Sequence, residues 1–450
     1  MRGAVAAGHP ATATAGAEIL ADGGSAADAA CAAVLASCVA ETVMTGLLGG
    51  GHAITYDAAT GIALNLDCFV AAPSGEGTPM AHLRVPFGEE LVDYAVGASS
   101  CGVPGVPFLL DALWRDGGRL PWERLIEPAL ALARRGVAMP PAHVSCLHML
   151  APVMTMREGA AIYAPHGALL EPGELMQQPG LVRALELLRG EGAASVYTGT
   201  IGRELERLLA ERGGAFAPGD LASYAPLWSE PATVAFAGRD LLTRRGLSGV
   251  PEALALLGPT TNADGLLAVL DEPVVVDGHT TNISVIDADG NACVVTTSLG
   301  LGSGDWLPGL DLHLNSMLGE ADLIREPLRP GARMASMMAP TLVLDRGEVD
   351  LAIGAAGGTR LRTALVGVLF AVLVEGLDPQ TAIDRPRFHP AGGTVNAEPG
   401  IDPEWLARIE QRGRTVRRWP ARHHYFGGVS AVSRRGSGAD PRRSGAVAEA

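Results

Sequence analysis

From Ala11 to Ala40 the apolar positions are mostly alanine, and a Gly23-Gly24 break divides two helical stretches. Ser25, with Asp28 three residues on, predicts a capped start for a helix over 26–40, and its small side chains predict close packing. After Gly49-Gly50-Gly51 the pattern alternates, predicting strands over 52–56 and 62–66 joined by a turn at 57–61. Residues 104–228 carry helical spacing, with amphipathic stretches at 120–135, 180–188 and 201–212. Beyond Pro226 the pattern weakens to a strand at 232–236, a helix at 251–257 and a polar stretch, 259–265, expected to be an exposed connector. From Thr280 the chain becomes strand-rich: a hairpin over 279–298, a strand pair at 341–344 and 348–353, then a helix after Gly357-Gly358. The aliphatic run from Ala364 to Val374 is too short to span a bilayer and predicts a buried helix. The last dozen residues, rich in Arg, Gly, Ser and Ala, are expected to fray.

Composition narrows the function. A chain of 450 residues with net charge −15 can bury a large core and is poorly suited to nucleic acid. Lysine is absent, which excludes Schiff-base chemistry, pyridoxal phosphate attachment and a P-loop lysine. Six cysteines without CxxC spacing predict buried thiols and a reducing compartment. With no export signal evident at the N-terminus, the expected location is cytoplasmic, without membrane association. The His143 to His148 stretch lacks a second Cys/His cluster, so neither a metal nor another cofactor is expected. His389 is expected to be structural, and the His423-His424 pair to lie on a loop entering a late strand, with a role at the site mouth left open.

The hairpin carries the most chemistry. Asp289-Gly290 predicts a tight two-residue turn, which would set Thr280 opposite Leu299 and Thr281 opposite Ser298, with slips of one or two residues open. Thr280, Thr296, Thr297 and Ser298 would then gather at one strand end. Threonines are common in strands because a β-branched side chain suits a pleated sheet. A threonine hydroxyl has no base of its own, but if the bond between His279 and Thr280 were cut, the new α-amine would supply one beside Oγ. Ala352-Ile-Gly-Ala-Ala-Gly-Gly358 reads as a strand leading through glycines to a helix, where backbone amides can hold a phosphate or an oxyanion.

Together these motifs resemble the γ-glutamyltranspeptidase family of N-terminal nucleophile hydrolases over nearly the full chain. The resemblance is carried by Ala7-Gly-His-Pro10, the glycine- and alanine-rich segment that follows, the triple glycine, Thr280-Thr-Asn-Ile-Ser-Val285, Leu314-Asn315, Ser336-Met-Met-Ala-Pro-Thr341, Gly357-Gly358 and Arg385-Pro-Arg-Phe-His389. It implies a four-layer αββα sandwich and self-cleavage into a large subunit, 1–279, and a small one, 280–450, paired afterwards and compatible with a dimer of such pairs. By the same resemblance Thr280 is the nucleophile, Thr296 and Ser298 are supporting hydroxyls, and Gly357 and Gly358 form the oxyanion hole. Glu320, Ser336, Asn315 and Phe69 are the substrate-binding candidates, for a small-molecule or peptide amide.

Four departures alter the donor site implied by that resemblance. Where glutamyl-using members carry an Asp-Phe-Arg-Glu type motif, this chain reads Asp67-Cys-Phe-Val70, so the carboxylate-pairing arginine is missing. Such a charge-assisted bond contributes about 1.5 to 3 kcal/mol. Met337 replaces a second serine, Gly300 an asparagine, and Asn282 a histidine. The 320–336 segment is short for a lid, and a helix before the processing site is expected to be largely missing around 257–275. These changes favour hydrolysis or a donor other than glutathione; the alternative is a catalytically silent relative acting in binding or assembly.

Overall fold

A computed structural model describes residues 3–87, 90–258, 261–271, 280–320, 323–324 and 327–450. His279, and with it the expected cleavage site's first half, lies outside the described residues. Thirteen strands form two large sheets. In chain order they are β1 (Ala4–Ala7), β2 (Gly50–Asp57), β3 (Ile62–Cys68), β4 (Leu227–Ser229), β5 (Ala232–Phe236), β6 (Arg239–Thr243), β7 (Thr281–Ile286), β8 (Ala292–Ser298), β9 (Thr341–Asp345), β10 (Glu348–Ala356), β11 (Gly428–Ser433), β12 (Gly436–Ala439) and β13 (Ala446–Glu449). The first sheet runs β13-β1-β7-β8-β2-β3-β4 and the second β12-β11-β10-β9-β6-β5, and every pairing in both is antiparallel.

Strand alternation sends one face of each sheet to its partner and the other to helices. Between the sheets, Ala6, Ile54, Ile286 and Val294 meet Leu242, Leu342, Ala352 and Val432. On the outer face of the first sheet, Ile283, Val285, Cys293 and Val295 pack on α1 (Pro10–Ala21) and α2 (Ala26–Ala40). Against the second, Leu351, Ile353 and Ala355 pack on α3 (Arg360–Leu373). The result is the αββα sandwich. Ser25 and Asp28 form the expected capping box, and every residue of α2 is buried. The aliphatic 364–374 run lies in or at the end of α3, with Leu365, Val366 and Leu369 buried. All six cysteines are buried and free. Among the described residues no helix is long and apolar enough to cross a membrane.

Three expectations need correction. The hairpin register is shifted by one residue: Thr281 pairs with Thr297 and Ile286 with Ala292. Asp287 causes the shift, because its carboxylate accepts the Asp289 and Asn291 amides, and its own N–H bonds the Asn291 carbonyl, so the loop closes one residue wider. Gly290, at φ +88°, takes the left-handed position of this three-residue loop. The second Asp287 oxygen also accepts the first amide of α2, from Ala26, at 3.1 Å.

The C-terminus is not frayed, since β13 pairs with β1 at the sheet edge and Arg442 and Arg443 are buried. Arg442 is held by Glu398 and by Asp440 at 3.2 Å, which a composition-based reading of a basic tail misses. Finally, the region expected to lack a helix contains one at Ala263–Leu270. Asn262 caps it by accepting from Gly265, and Leu267 and Leu270 anchor it against the second helical layer.

Candidate active site

The end of β8 comes close to the segment Phe69–Val70 because Gly50 and Gly51 have no side chains. A Cβ on Gly50 would stand 2.6 Å from the Val70 nitrogen, and one on Gly51 2.7 Å from the Thr296 oxygen. The triple glycine thus lets the chain segments meet where the cleft opens. The register correction places Thr281 and Thr297 on the helix-facing side and sends Asn282 and Thr296 into the space between the sheets.

Thr280, Ser298, Glu320, Ser336, Gly358 and Phe69 line one narrow cleft, together with Met317, Leu323, Met337, Met338 and Leu361. Six of the nine residues expected to catalyse or bind are therefore brought together. Gly357, at φ +130°, precedes Gly358, and a Cβ there would meet the Gly427 Cα at 2.8 Å. Only glycine fits this turn. Thr296 stands deeper, with its hydroxyl 2.7 Å from the Asn282 amide, which also reaches Ser284 at 3.1 Å. Asn282 packs over Gly354 of the opposite sheet, where a Cβ would come within 2.1 Å of it.

Asn315 is placed differently from its expected substrate-binding role. It is fully buried, and its amide group bonds Leu48 O, both backbone groups of Gly102 and Met317 N. Its hydrogen-bonding capacity is used in holding loops together behind the cleft. His389 bonds Thr363 at 2.8 Å and is likewise structural.

Several groups beside the site were not anticipated. Glu41, at the C-cap of α2, is buried and accepts from Thr12 at 2.6 Å and from Thr281 at 2.5 Å. Burial pushes its carboxyl up to about 7, against the opposing pull of the two hydroxyls and Arg443. Thr297 bonds Thr45 at 2.8 Å, tying β8 to the segment that follows α2. On the other side, a row across four strands runs Asn282, Thr296, His52, Asp67 by register. Arg244 and Arg333 approach Asp67 at 3.6 and 3.7 Å, and Arg244 donates to the Ser336 carbonyl at 3.2 Å. Although burial works the other way, Arg244, the Phe69 N–H and Arg333 hold the Asp67 carboxyl below the usual range. Burial, reinforced by Arg244, pushes the His52 ring down to about 3, so it is neutral. Glu41 lies 240 residues from Thr281, and Arg244 and Arg333 lie far from Asp67. Local spacing carries no signal of these contacts.

A threonine at a strand end, glycine amides at a helix start, and adjoining hydroxyl and carboxylate groups are the parts an acyl-transfer site requires. Comparison with known proteins agrees. The Gamma-glutamyltranspeptidase family profile matches residues 12–264 and 270–450. The chain is 27% identical to the Acylase ACY 1 proenzyme of Pseudomonas sp. (strain V22), covering 96% of this chain and 90% of that one. It is 26% identical to Glutathione hydrolase proenzyme 1 of Schizosaccharomyces pombe, covering 93% and 79%. Its fold matches cephalosporin acylase from Bacillus halodurans with a TM-score of 0.85 at 22% identity, over 99% of this chain and 95% of that one. The chain belongs to the γ-glutamyltranspeptidase family, as a divergent member of a family of N-terminal nucleophile amidohydrolases.

Proposed function

We infer that Thr280, released as the first residue of a small subunit 280–450, forms an acyl-enzyme with an amide donor and passes the acyl group to water or an amine. One observation supports this most strongly: Thr280 shares its cleft with Ser298, Glu320, Ser336 and Gly358. In processing, Thr280 Oγ adds to the carbonyl of residue 279. The peptide C–N bond then breaks, the Oγ proton passes to the departing nitrogen, and water opens the resulting ester. The freed α-amine, which titrates near 7.7 to 8.0 in model peptides, is then the base for the same hydroxyl. In turnover it takes the Oγ proton as Oγ bonds the acyl carbon, and hands it to the leaving amine. Gly357 and Gly358 are assigned to the oxyanion, Ser298 and Thr296 to orientation of the nucleophile strand, and Glu320 with Ser336 to an amino group of the substrate.

The donor site is altered, and the reading favours hydrolysis or a donor other than glutathione. Arg244 and Arg333 lie near the position of the missing arginine, but both are directed to Asp67. The two subunits would remain paired, since both sheets draw strands from 1–279 and 280–450. Six free thiols accord with residence in the cytoplasm. Intact mass spectrometry tests the core of this reading. Two fragments meeting between His279 and Thr280, and a single uncleaved 46.3 kDa chain in Thr280→Ala, are expected. A wild-type chain that stays whole and resists an electrophilic glutamine analogue would instead favour the silent alternative.

A further inference from the structure

The wall facing Thr280 is built from sulfur and hydrocarbon. Phe69, Met317, Leu323, Met337, Met338 and Leu361 line the cleft, and Met334 packs behind them. Thioether side chains are polarisable and adjustable, so they accommodate apolar groups of varied shape. Phe69 is fixed in this wall. Its N–H donates to Asp67 at 2.9 Å, its carbonyl accepts from Tyr224 at 2.8 Å, and its ring stacks on His52 with centroids 5.5 Å apart.

The charges behind the wall do not reach into the cleft as cations. His52 is fully buried against Phe69, and the Arg333 guanidinium lies 3.8 Å over the Tyr224 ring while also serving Asp67. Arg244 serves Asp67 and the Ser336 carbonyl. Among the described residues lining the cleft, no side chain is basic. An acyl group ending in a carboxylate would have to shed its water against methionines with no cation among these residues to meet it, whereas an apolar acyl group would bury its surface there.

We propose that the acyl group carried by Thr280 has an apolar body, alkyl or aryl, and lacks a carboxylate of its own. The proposal rests on Thr280 being the nucleophile and specifies what that nucleophile accepts. It assigns Phe69, Met337 and Met338 as specificity-determining residues.

Two activated esters of equal acyl length, p-nitrophenyl valerate and mono-p-nitrophenyl glutarate, provide the test on processed protein. After correction for spontaneous hydrolysis, kcat/KM for the valerate is expected to exceed that for the glutarate by at least about tenfold, the scale of discrimination available to apolar pockets. Both rates should vanish in Thr280→Ala. Met337→Ser and Met338→Ser should lower valerate turnover several-fold without lowering glutarate turnover, and Met337→Leu should restore the preference. Cleavage into two fragments reports whether each methionine variant has folded, and circular dichroism does so for Thr280→Ala. Thr280-dependent turnover in which glutarate equals or exceeds valerate would overturn the apolar-acyl proposal and leave the nucleophile intact. Release that is independent of Thr280, or absent with both esters, would overturn the nucleophile and the proposal with it.

Discussion

Replacing Glu41 with glutamine isolates one buried carboxyl whose effect on stability has a defined sign. The carboxyl is pushed up from its ordinary 4.5 to about 7 in the folded protein, so the fold holds its proton more tightly than the unfolded chain does. Its contribution is therefore complete below pH 4.5 and is lost as pH rises through about 7. Each pH unit between those values corresponds to about 1.4 kcal/mol, and integration from pH 5 to pH 8 gives a loss of about 2 to 3 kcal/mol. The whole protein's curve will not show this directly. Burial lowers His9 to about 4, and lowers His52, His143, His313 and His389 to about 3, so the cost of keeping these rings neutral falls away as pH rises towards their ordinary 6.5.

The difference between parent and Glu41→Gln removes the histidine contribution, and glutamine retains a group able to meet Thr12 and Thr281. Around Glu41 the other ionisable groups are Arg443, Asp440, His143, His9 and Cys38, which are common to both proteins. Urea unfolding in a Thr280→Ala background, expected to stay a single chain, should show the variant gaining about 2 to 3 kcal/mol on the parent between pH 5 and pH 8. A stability difference that stays flat across that range would refute the assignment of a raised carboxyl at position 41.

Asp287→Ala removes the acceptor for Ala26, Asp289 and Asn291 amides, and should cost about 3 kcal/mol by urea denaturation while loosening the hairpin register. Arg442→Met leaves Glu398 buried without its cation and Asp440 with Arg387 alone; a loss of about 3 to 5 kcal/mol is expected, and a variant as stable as the parent would contradict it. Gly357→Ala forces a Cβ against Gly427 at a backbone angle alanine disfavours. It should reduce turnover by about a hundredfold, the effect of losing an oxyanion donor, with circular dichroism close to that of the parent. Ser298→Ala should slow processing and turnover, measured by fragment appearance and ester hydrolysis, whereas Ser298→Thr should restore both.

The periodic segments were readable because their local and tertiary preferences agree. Ser25 and Asp28 cap α2, and the alternation at 232–236 and 341–345 matches the strands found there. The tail and the hairpin loop were misread where a side chain contradicts the local pattern. Arg442 finds a buried carboxylate, Glu398, far back along the chain, and Asp287 captures two loop amides in place of the Asp289-Gly290 turn. At the site, Thr280, Ser298, Gly358, Glu320, Ser336 and Phe69 converge as their motifs implied. Asn315 could not be told apart from a ligand contact, because an asparagine that binds substrate and one that ties loops together are chemically identical in sequence. The methionine wall was equally hidden, since Met317 and Met337 join only through folding.

The strand order of the first sheet has a consequence for the life of the molecule. Its sequence of strands, β13-β1-β7-β8-β2-β3-β4, takes the edge strand from residues after 280, the next from the start of the chain, two more from after 280, and the rest from before it. Neither fragment alone contains a complete sheet, so the intact chain acts as an intramolecular chaperone that keeps both parts at high local concentration while they interleave. The proposed cut at 279–280 would discard that tether after it has served its purpose. The processed protein should therefore regain activity after dilution from urea with a yield that rises with protein concentration, whereas the uncut Thr280→Ala chain should refold with a yield independent of it. Maturation would thus turn a reversible fold into an assembly whose persistence depends on how slowly it comes apart.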